Sequence, residues 1–152
     1  MIILDTPSGR FTYRVAGIAI VDDRILLHKA VRQDYWILPG GRAEVMERAR
    51  ETLEREMIEE AGLRVTVGRL VWVVENFFAE GDVRFHEIAL YFEMTMTTDS
   101  LAGQRMSFVG QEGADTIEFR WHPLDELPEF QPHFLAGRLA RLPSATEHIV
   151  DG

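Results

Sequence analysis

The sequence contains no cysteine. A disulfide framework and thiol chemistry are therefore excluded, with no bearing on compartment. It has no apolar run long enough to cross a membrane. The longest, such as Val15 to Val21, fall far short of the roughly 20 residues a span needs, so no membrane partner is expected. It also lacks excess positive charge: 16 Lys and Arg against 25 Asp and Glu leave a net charge of −9. A long nucleic acid needs a basic surface, so a general nucleic-acid binder is excluded. A small phosphorylated ligand is not, because a bound cation and a few local arginines reverse the field inside one cleft. The opening MIILDTPSGR has no basic start followed by a long apolar stretch. No secretory signal is expected, and the cytoplasm is the expected compartment. A length of 152 residues suits one domain with a real core.

What the sequence does have is a dense stretch from Gly40 to Leu63, GGRAEVMERARETLEREMIEEAGL. Arg48 to Ala61 holds no proline or glycine and is rich in helix formers. Ala49, Leu53, Met57 and Ala61 recur every four residues and give one apolar stripe. Gly62 is placed to end the helix in a left-handed cap. Glu56, Glu59 and Glu60 fall near one face, bordering that stripe. Carboxylates at this spacing repel one another, and a helix C-terminus disfavours negative charge. A solvated acidic face partnered by Arg48, Arg50 and Arg55 is one reading. A divalent-cation site is the other, since hard oxygen ligands on a rigid face suit Mg²⁺ or Mn²⁺, which would cancel the repulsion.

The remaining chain reads mainly as strands. Phe11 to Val21, a tight turn at Asp22-Asp23, and Arg24 to Val31 form a hairpin. Asp34 to Leu38 is a short strand ending at Pro39. Arg64 to Phe78 holds one or two strands with a bend at Gly68. Val83 to Met96 alternates most regularly. Thr97 to Asp115, broken by Gly103, Gly110 and Gly113, reads as a long functional loop. Thr116 to His122 is a last strand. Pro123 to Leu127 reads as a helical turn, and Pro132 opens a final helix to about Arg141. Residues 1–142 form one domain, and 143–152 read as a frayed, flexible tail. Strands with two main helices suggest an α+β helix–sheet–helix sandwich.

The Gly40–Leu63 stretch resembles the signature of the Nudix hydrolases, G-x5-E-x7-R-E-U-x-E-E-x-G-U, with U a bulky apolar residue. Gly41, Glu47, Arg55, Glu56, Met57, Glu59, Glu60, Gly62 and Leu63 fill every position, seven of them as identities. At about 7% usage per residue type, seven chance identities have odds on the order of 10⁻⁸ per window. The WILPGG lead-in is similar to the family as well. One departure stands nearby. Many members have Gly before the box glutamate and Ser or Thr after it, where this chain has Met46 and Arg48. An irregular helix start is expected.

The resemblance implies an α/β (α+β) Nudix sandwich with a mixed sheet. It implies metal-dependent cleavage of a pyrophosphate bond in a nucleoside diphosphate linked to another group, possible substrates including oxidised or non-standard nucleoside triphosphates. The cofactor implied is Mg²⁺ or Mn²⁺, held by Glu56, Glu59, Glu60 and the Gly40 carbonyl. Glu56 and Glu59 also carry a catalytic role. Gly41, Glu47, Arg55 and Gly62 support the box, with Arg55 orienting carboxylates. Family members often supply a further acid before the last strand. Among Asp99, Glu112, Asp115 and Glu118, Glu112 is chosen, because Gly110 and Gly113 let the backbone bend it inward. Arg32 and Arg42 are candidates to grip phosphate, and Trp36, Phe77 and His86 to contact the substrate. His28, His122, His133 and His148 read as structural or surface residues. The resemblance also suggests a homodimer acting on a small nucleotide. The alternative is a Nudix-fold nucleotide-binding module without turnover, but such modules usually lose box glutamates and this chain keeps them all.

Overall fold

The computed structural model describes residues 1–96 and 106–152. Its elements in chain order are β1 (Ile3–Thr6), β2 (Gly9–Ile18), β3 (Ile20–Val21), β4 (Arg24–Ala30), β5 (Gly40–Arg42), α1 (Ala49–Ala61), β6 (Val65–Glu80), β7 (Val83–Met96), β8 (Ser107–Glu112), β9 (Asp115–Pro123), a 3₁₀ helix (His133–Arg138) and β10 (Glu147–Asp151). One sheet runs β1-β2-β7-β6-β10, with β5 also paired to β2. It is mixed, because β2/β7 and β6/β10 are parallel while the other pairs are antiparallel. The second sheet runs β3-β4-β9-β8 and is antiparallel throughout.

Two cores form on opposite sides of these sheets. Leu53 and Met57 of α1 bury their stripe against Val15, Leu26, Phe92 and Phe119, which come from both sheets. On the other side Ala16, Trp72 and Tyr91 pack with Trp36, Phe130 and Leu135. The α+β class with a mixed sheet is as the sequence implies. The second expected helix is not. Pro132 to Arg141 forms only the short 3₁₀ helix, since Gly137 falls inside a segment too short to offset helix nucleation.

Local chemistry explains most of the elements. Asp22 and Asp23 both take positive φ, 51° and 60°, as a two-residue hairpin turn requires. The register slips on either side of Leu70, so the expected irregularity near Gly68 is a bulge inside one 16-residue strand. Asp34 to Leu38 makes only isolated bridges, His28 with Ile37 and Trp36 with Phe130. Part of the expected long loop is strand β8. Gly110 belongs to it because a Cβ there would lie 2.0 Å from the Glu60 carbonyl oxygen; the glycine lets β8 cross the end of α1. Asp99 lies outside the described residues. The expected loose tail is also ordered. β10 pairs in parallel with β6, and Trp72 Nε1 donates to Glu147 at 3.2 Å while His148 meets Glu75 at 2.7 Å.

The helix start is irregular, as expected. Arg48 serves as N-cap without a side-chain cap bond, and its own backbone N–H donates to Glu51 Oε2 at 2.8 Å, the returning half of a capping box. Met46 sits at φ +70° and is 96% exposed, so no packing compensates its left-handed backbone. Met46→Gly should raise stability by up to about 1 kcal/mol. Thermal melting checks this, and an unchanged or lower midpoint would refute the strain.

Candidate active site

Two glycines bring strand and helix together. β5 pairs with β2 through Ala16–Gly40 and Val15–Gly41. A Cβ on Gly40 would lie 2.0 Å from the Val15 carbonyl oxygen, and one on Gly41 would lie 2.2 Å from the Glu56 carboxyl carbon. Only glycine lets the backbone pass this close to the Glu56 carboxylate.

Arg55 is the hub of the acidic face. Its Nε donates to Glu47 Oε2 at 2.7 Å and its Nη2 to Glu47 Oε1 at 3.0 Å, a two-point fork. Its Nη1 donates to Glu56 Oε1 at 2.8 Å and to Glu59 Oε2 at 3.1 Å, and Nη2 also reaches the Arg42 carbonyl at 3.2 Å. The Arg55 hydrogen bonds hold the Glu47 carboxyl down at about 2, helped by Thr52 and the Glu44 N–H. The same acids push Arg55 further above its ordinary value.

Glu60 is different. It is 5% exposed, and burial raises its carboxyl to about 9, with the Glu112 charge and Glu56 adding to the effect. Glu60 Oε2 has no hydrogen-bond partner, and neither ring nitrogen of His28 has one. His28, 3% exposed, has its Nδ1 3.6 Å from that oxygen, too far for a hydrogen bond. Burial, with Arg14 nearby, lowers His28 to about 3. Both groups are thus neutral near pH 7, and the contact is not an ion pair. Because the folded carboxyl holds its proton to about 9 and the unfolded one only to 4.5, the metal-free fold loses stability as pH rises between those values.

This donor set fits a divalent cation. A buried carboxyl with an orphaned oxygen, raised further by Glu112 and Glu56, is stable as an anion only beside added positive charge. Among the described residues no three acidic or imidazole groups already converge as a complete cage, and Arg55 occupies one oxygen each of Glu56 and Glu59. Mg²⁺ keeps several waters and needs few protein ligands.

The other sequence candidates distribute unevenly. Glu112 is exposed at the end of β8 but close enough to act on Glu60. Asp115 pairs with Arg32 at 2.9 Å on the surface, and Glu118 pairs with Arg120 at 2.9 Å. Arg42 directs its guanidinium to Met1 Sδ at 3.8 Å. Trp36 is a core residue, edge-on to His122 at 4.5 Å with Lys29 over its ring. Phe77 and His86 stack at 4.5 Å at the far end of the first sheet, beside a depression of about 590 Å³ lined by Phe11, Phe78 and Phe85. That end is four residues along β2 from the Gly41 pairing, so these two are not brought to the carboxylates. Sequence reasoning missed Arg14, whose Nη2 donates to the Leu38 carbonyl at 2.9 Å and whose charge reaches Glu60 and His28. An arginine on the buried parity of β2, in step with Ala16 and Ile18, was the available signal.

The model of the NUDIX domain family matches residues 11–142. The chain belongs to the Nudix hydrolase family. Its Nudix box is the α1 segment and glycine pair just described. Among curated Nudix relatives, the uncharacterised Nudix hydrolase YvcI of Bacillus subtilis is 30% identical over 106 residues, 70% of this chain and 62% of YvcI. The chain thus spans less than two thirds of that relative's length. An 8-oxo-dGTP diphosphatase of Buchnera aphidicola is 26% identical over 145 residues, 93% of this chain and 92% of the relative. The crystal structure of a MutT protein from Methanosarcina mazei superposes with a TM-score of 0.65 at 18% identity, covering 90% of this chain and 97% of that one. That last likeness concerns the Nudix fold alone. Among the described residues, no helix of this Nudix domain is long and apolar enough to cross a membrane.

Proposed function

We propose that this Nudix domain is a cytoplasmic, Mg²⁺- or Mn²⁺-dependent pyrophosphohydrolase. Its substrate is a nucleoside diphosphate linked to another group, and an oxidised or non-standard nucleoside triphosphate is the finer reading. The observation that carries this is the orphaned, buried Glu60 carboxyl beside Glu56 and within reach of Glu112. The likeness to an 8-oxo-dGTP diphosphatase along nearly the whole chain supports the finer reading.

Glu56, Glu59, Glu60 and the Gly40 carbonyl would hold the cations. Cations held there would neutralise the diphosphate and acidify a water. Arg55 fixes the Glu56 carboxylate through its 2.8 Å bond. Arg14, whose guanidinium is held by the Leu38 carbonyl, adds positive charge that favours the Glu60 anion. Glu112 takes a proton from the attacking water. The water oxygen bonds to phosphorus, and the bridging P–O bond breaks with its electrons on the leaving phosphate. A nucleotide panel with Mg²⁺, Mn²⁺ or chelator tests this: release of phosphate or pyrophosphate only with metal is expected. Tight nucleotide binding with no release would move the chain to the class of binding modules.

The exposed position of Glu112 makes its role separable from folding. Glu112→Gln should lower kcat by roughly 10²-fold or more with a melting temperature near wild type. Glu118→Gln, which loses only the exposed pair with Arg120, should do much less. If Glu112→Gln stays within a few-fold while Asp115→Asn or Glu118→Gln abolishes turnover, the base is the other residue.

A further inference from the structure

We infer that Glu87 and Asn76 form a base-reading pair that selects a nucleobase with a ring N–H beside an exocyclic amine, the guanine type. The inference deepens the nucleotide reading above and rests on it.

The register places Thr12 opposite Glu87 and Glu87 opposite Asn76. The three form a polar row across the first sheet, on the face that carries Ala16, Tyr91 and Trp72. Thr12 is fully buried, Glu87 is 8% exposed and Asn76 9%. Thr12 Oγ1 donates to Glu87 Oε2 at 2.8 Å. Among the described residues that is the only hydrogen bond of the Glu87 carboxylate, and the Asn76 amide has none. Buried polar groups are nearly always paired. Here the unpaired atoms are not among those sealed from solvent. A ligand can therefore complete them.

The row meets the box through β5, whose Arg42 pairs with Arg14 of β2 and whose Gly41 passes the Glu56 carboxylate. Arg14 is the next residue of β2 on this face and stands opposite Ala89. It lies two residues from Thr12, about 7 Å along the strand. Its charge reaches Glu60 and His28 on one side and the Tyr91 hydroxyl on the other, where Glu87 also acts. Phosphates held at the Glu56–Glu60 end place the base of the same nucleotide over Glu87 and Asn76.

A carboxylate only accepts hydrogen bonds. Guanine offers it two adjacent donors, the ring N–H and the amine, with a carbonyl beyond for the Asn76 amide. Hypoxanthine offers the ring N–H alone. Adenine and cytosine set an acceptor nitrogen beside the amine, and its lone pair would face the carboxylate. Sites built to pair polar groups discriminate strongly against ligands that leave them unpaired.

The test compares wild type, Glu87→Gln and Asn76→Ala. It measures kcat/KM for GTP, ITP and ATP with Mg²⁺, metal-free calorimetric binding of GMP and AMP, and melting. Wild type should prefer GTP, then ITP, then ATP. Glu87→Gln should lose roughly 10- to 100-fold in kcat/KM for GTP, mainly through KM, stay within a few-fold for ATP, and lose its preference for GMP. Asn76→Ala, which does not depend on Glu87→Gln folding, should weaken GTP and ITP together relative to ATP. A wild-type preference for ATP, or variants that lower melting and all substrates equally, would overturn the inference and make the row structural. Hydrolysis without Glu87-dependent selection defeats the base pair and leaves the hydrolase. Glu87-dependent GMP binding without hydrolysis does the reverse.

Discussion

Glu60→Gln is expected to lower kcat roughly 10²- to 10³-fold, the scale for losing one electrostatic contribution to the transition state, here by weakening the hold on the cation that would neutralise the phosphate. The same variant should melt, without metal, as well as wild type or better. Wild type buries a carboxyl that holds its proton to about 9 when folded but only to 4.5 when unfolded. Each pH unit between those values costs the metal-free fold at most about 1.4 kcal/mol. Gln is neutral throughout and removes that slope. The expected signature is therefore paired: turnover falls, and the metal-free loss of melting temperature from mildly acidic to alkaline pH flattens. A variant that keeps near-wild-type turnover at saturating metal would remove Glu60 from the site. One that loses turnover because it no longer folds would make Glu60 structural.

Arg55→Ala should have the largest effect on stability. The guanidinium is only 26% exposed and ties Glu47, Glu56, Glu59 and the Arg42 carbonyl together. Its loss leaves Glu47, itself 14% exposed, without a counter-charge. Removing one partner of such a pair costs on the order of 2–4 kcal/mol after allowing for partial exposure, or about 5–15 °C in melting temperature. Arg55→Lys should recover little, because one ammonium cannot fork to Glu47 and also reach Glu56 and Glu59. The acid limb reports the same contact. Glu47 is held at about 2 in the fold, against 4.5 when free. Its stabilisation is present above 4.5 and is lost as pH falls through about 2; Arg55→Ala should lose this acid resistance. A midpoint within 2 °C of wild type and an unchanged acid limb would show that the hub is not holding the helix to β5.

The box helix was legible because its signals are local. The four-residue stripe, the acids at i, i+3 and i+4, and Gly62 at φ +67° all lie in one run. The Asp22-Asp23 hairpin and the regular alternation of β7 were legible for the same reason. What escaped depends on distant partners. Gly110 and Gly113 looked like loop residues, yet Gly110 is the point where β8 passes over α1. β10 is a short, largely polar strand whose edge position on β6 supplies its order. Trp36 as a substrate contact rested on residue type alone, which says nothing of the neighbours His122 and Phe130 that pack around it. Arg14 and Glu87 are polar residues on buried parity, and only strand pairing shows that they lie along one face.

Mn²⁺ binding measured by calorimetry at pH 8, for wild type and Glu60→Gln side by side, tests the central claim most directly. The carboxylates of α1 as the metal site predict saturable binding by wild type and at least about tenfold weaker binding by Glu60→Gln, the minimum expected for altering a metal site. Equal affinity in the two proteins, or no binding by either, would contradict it.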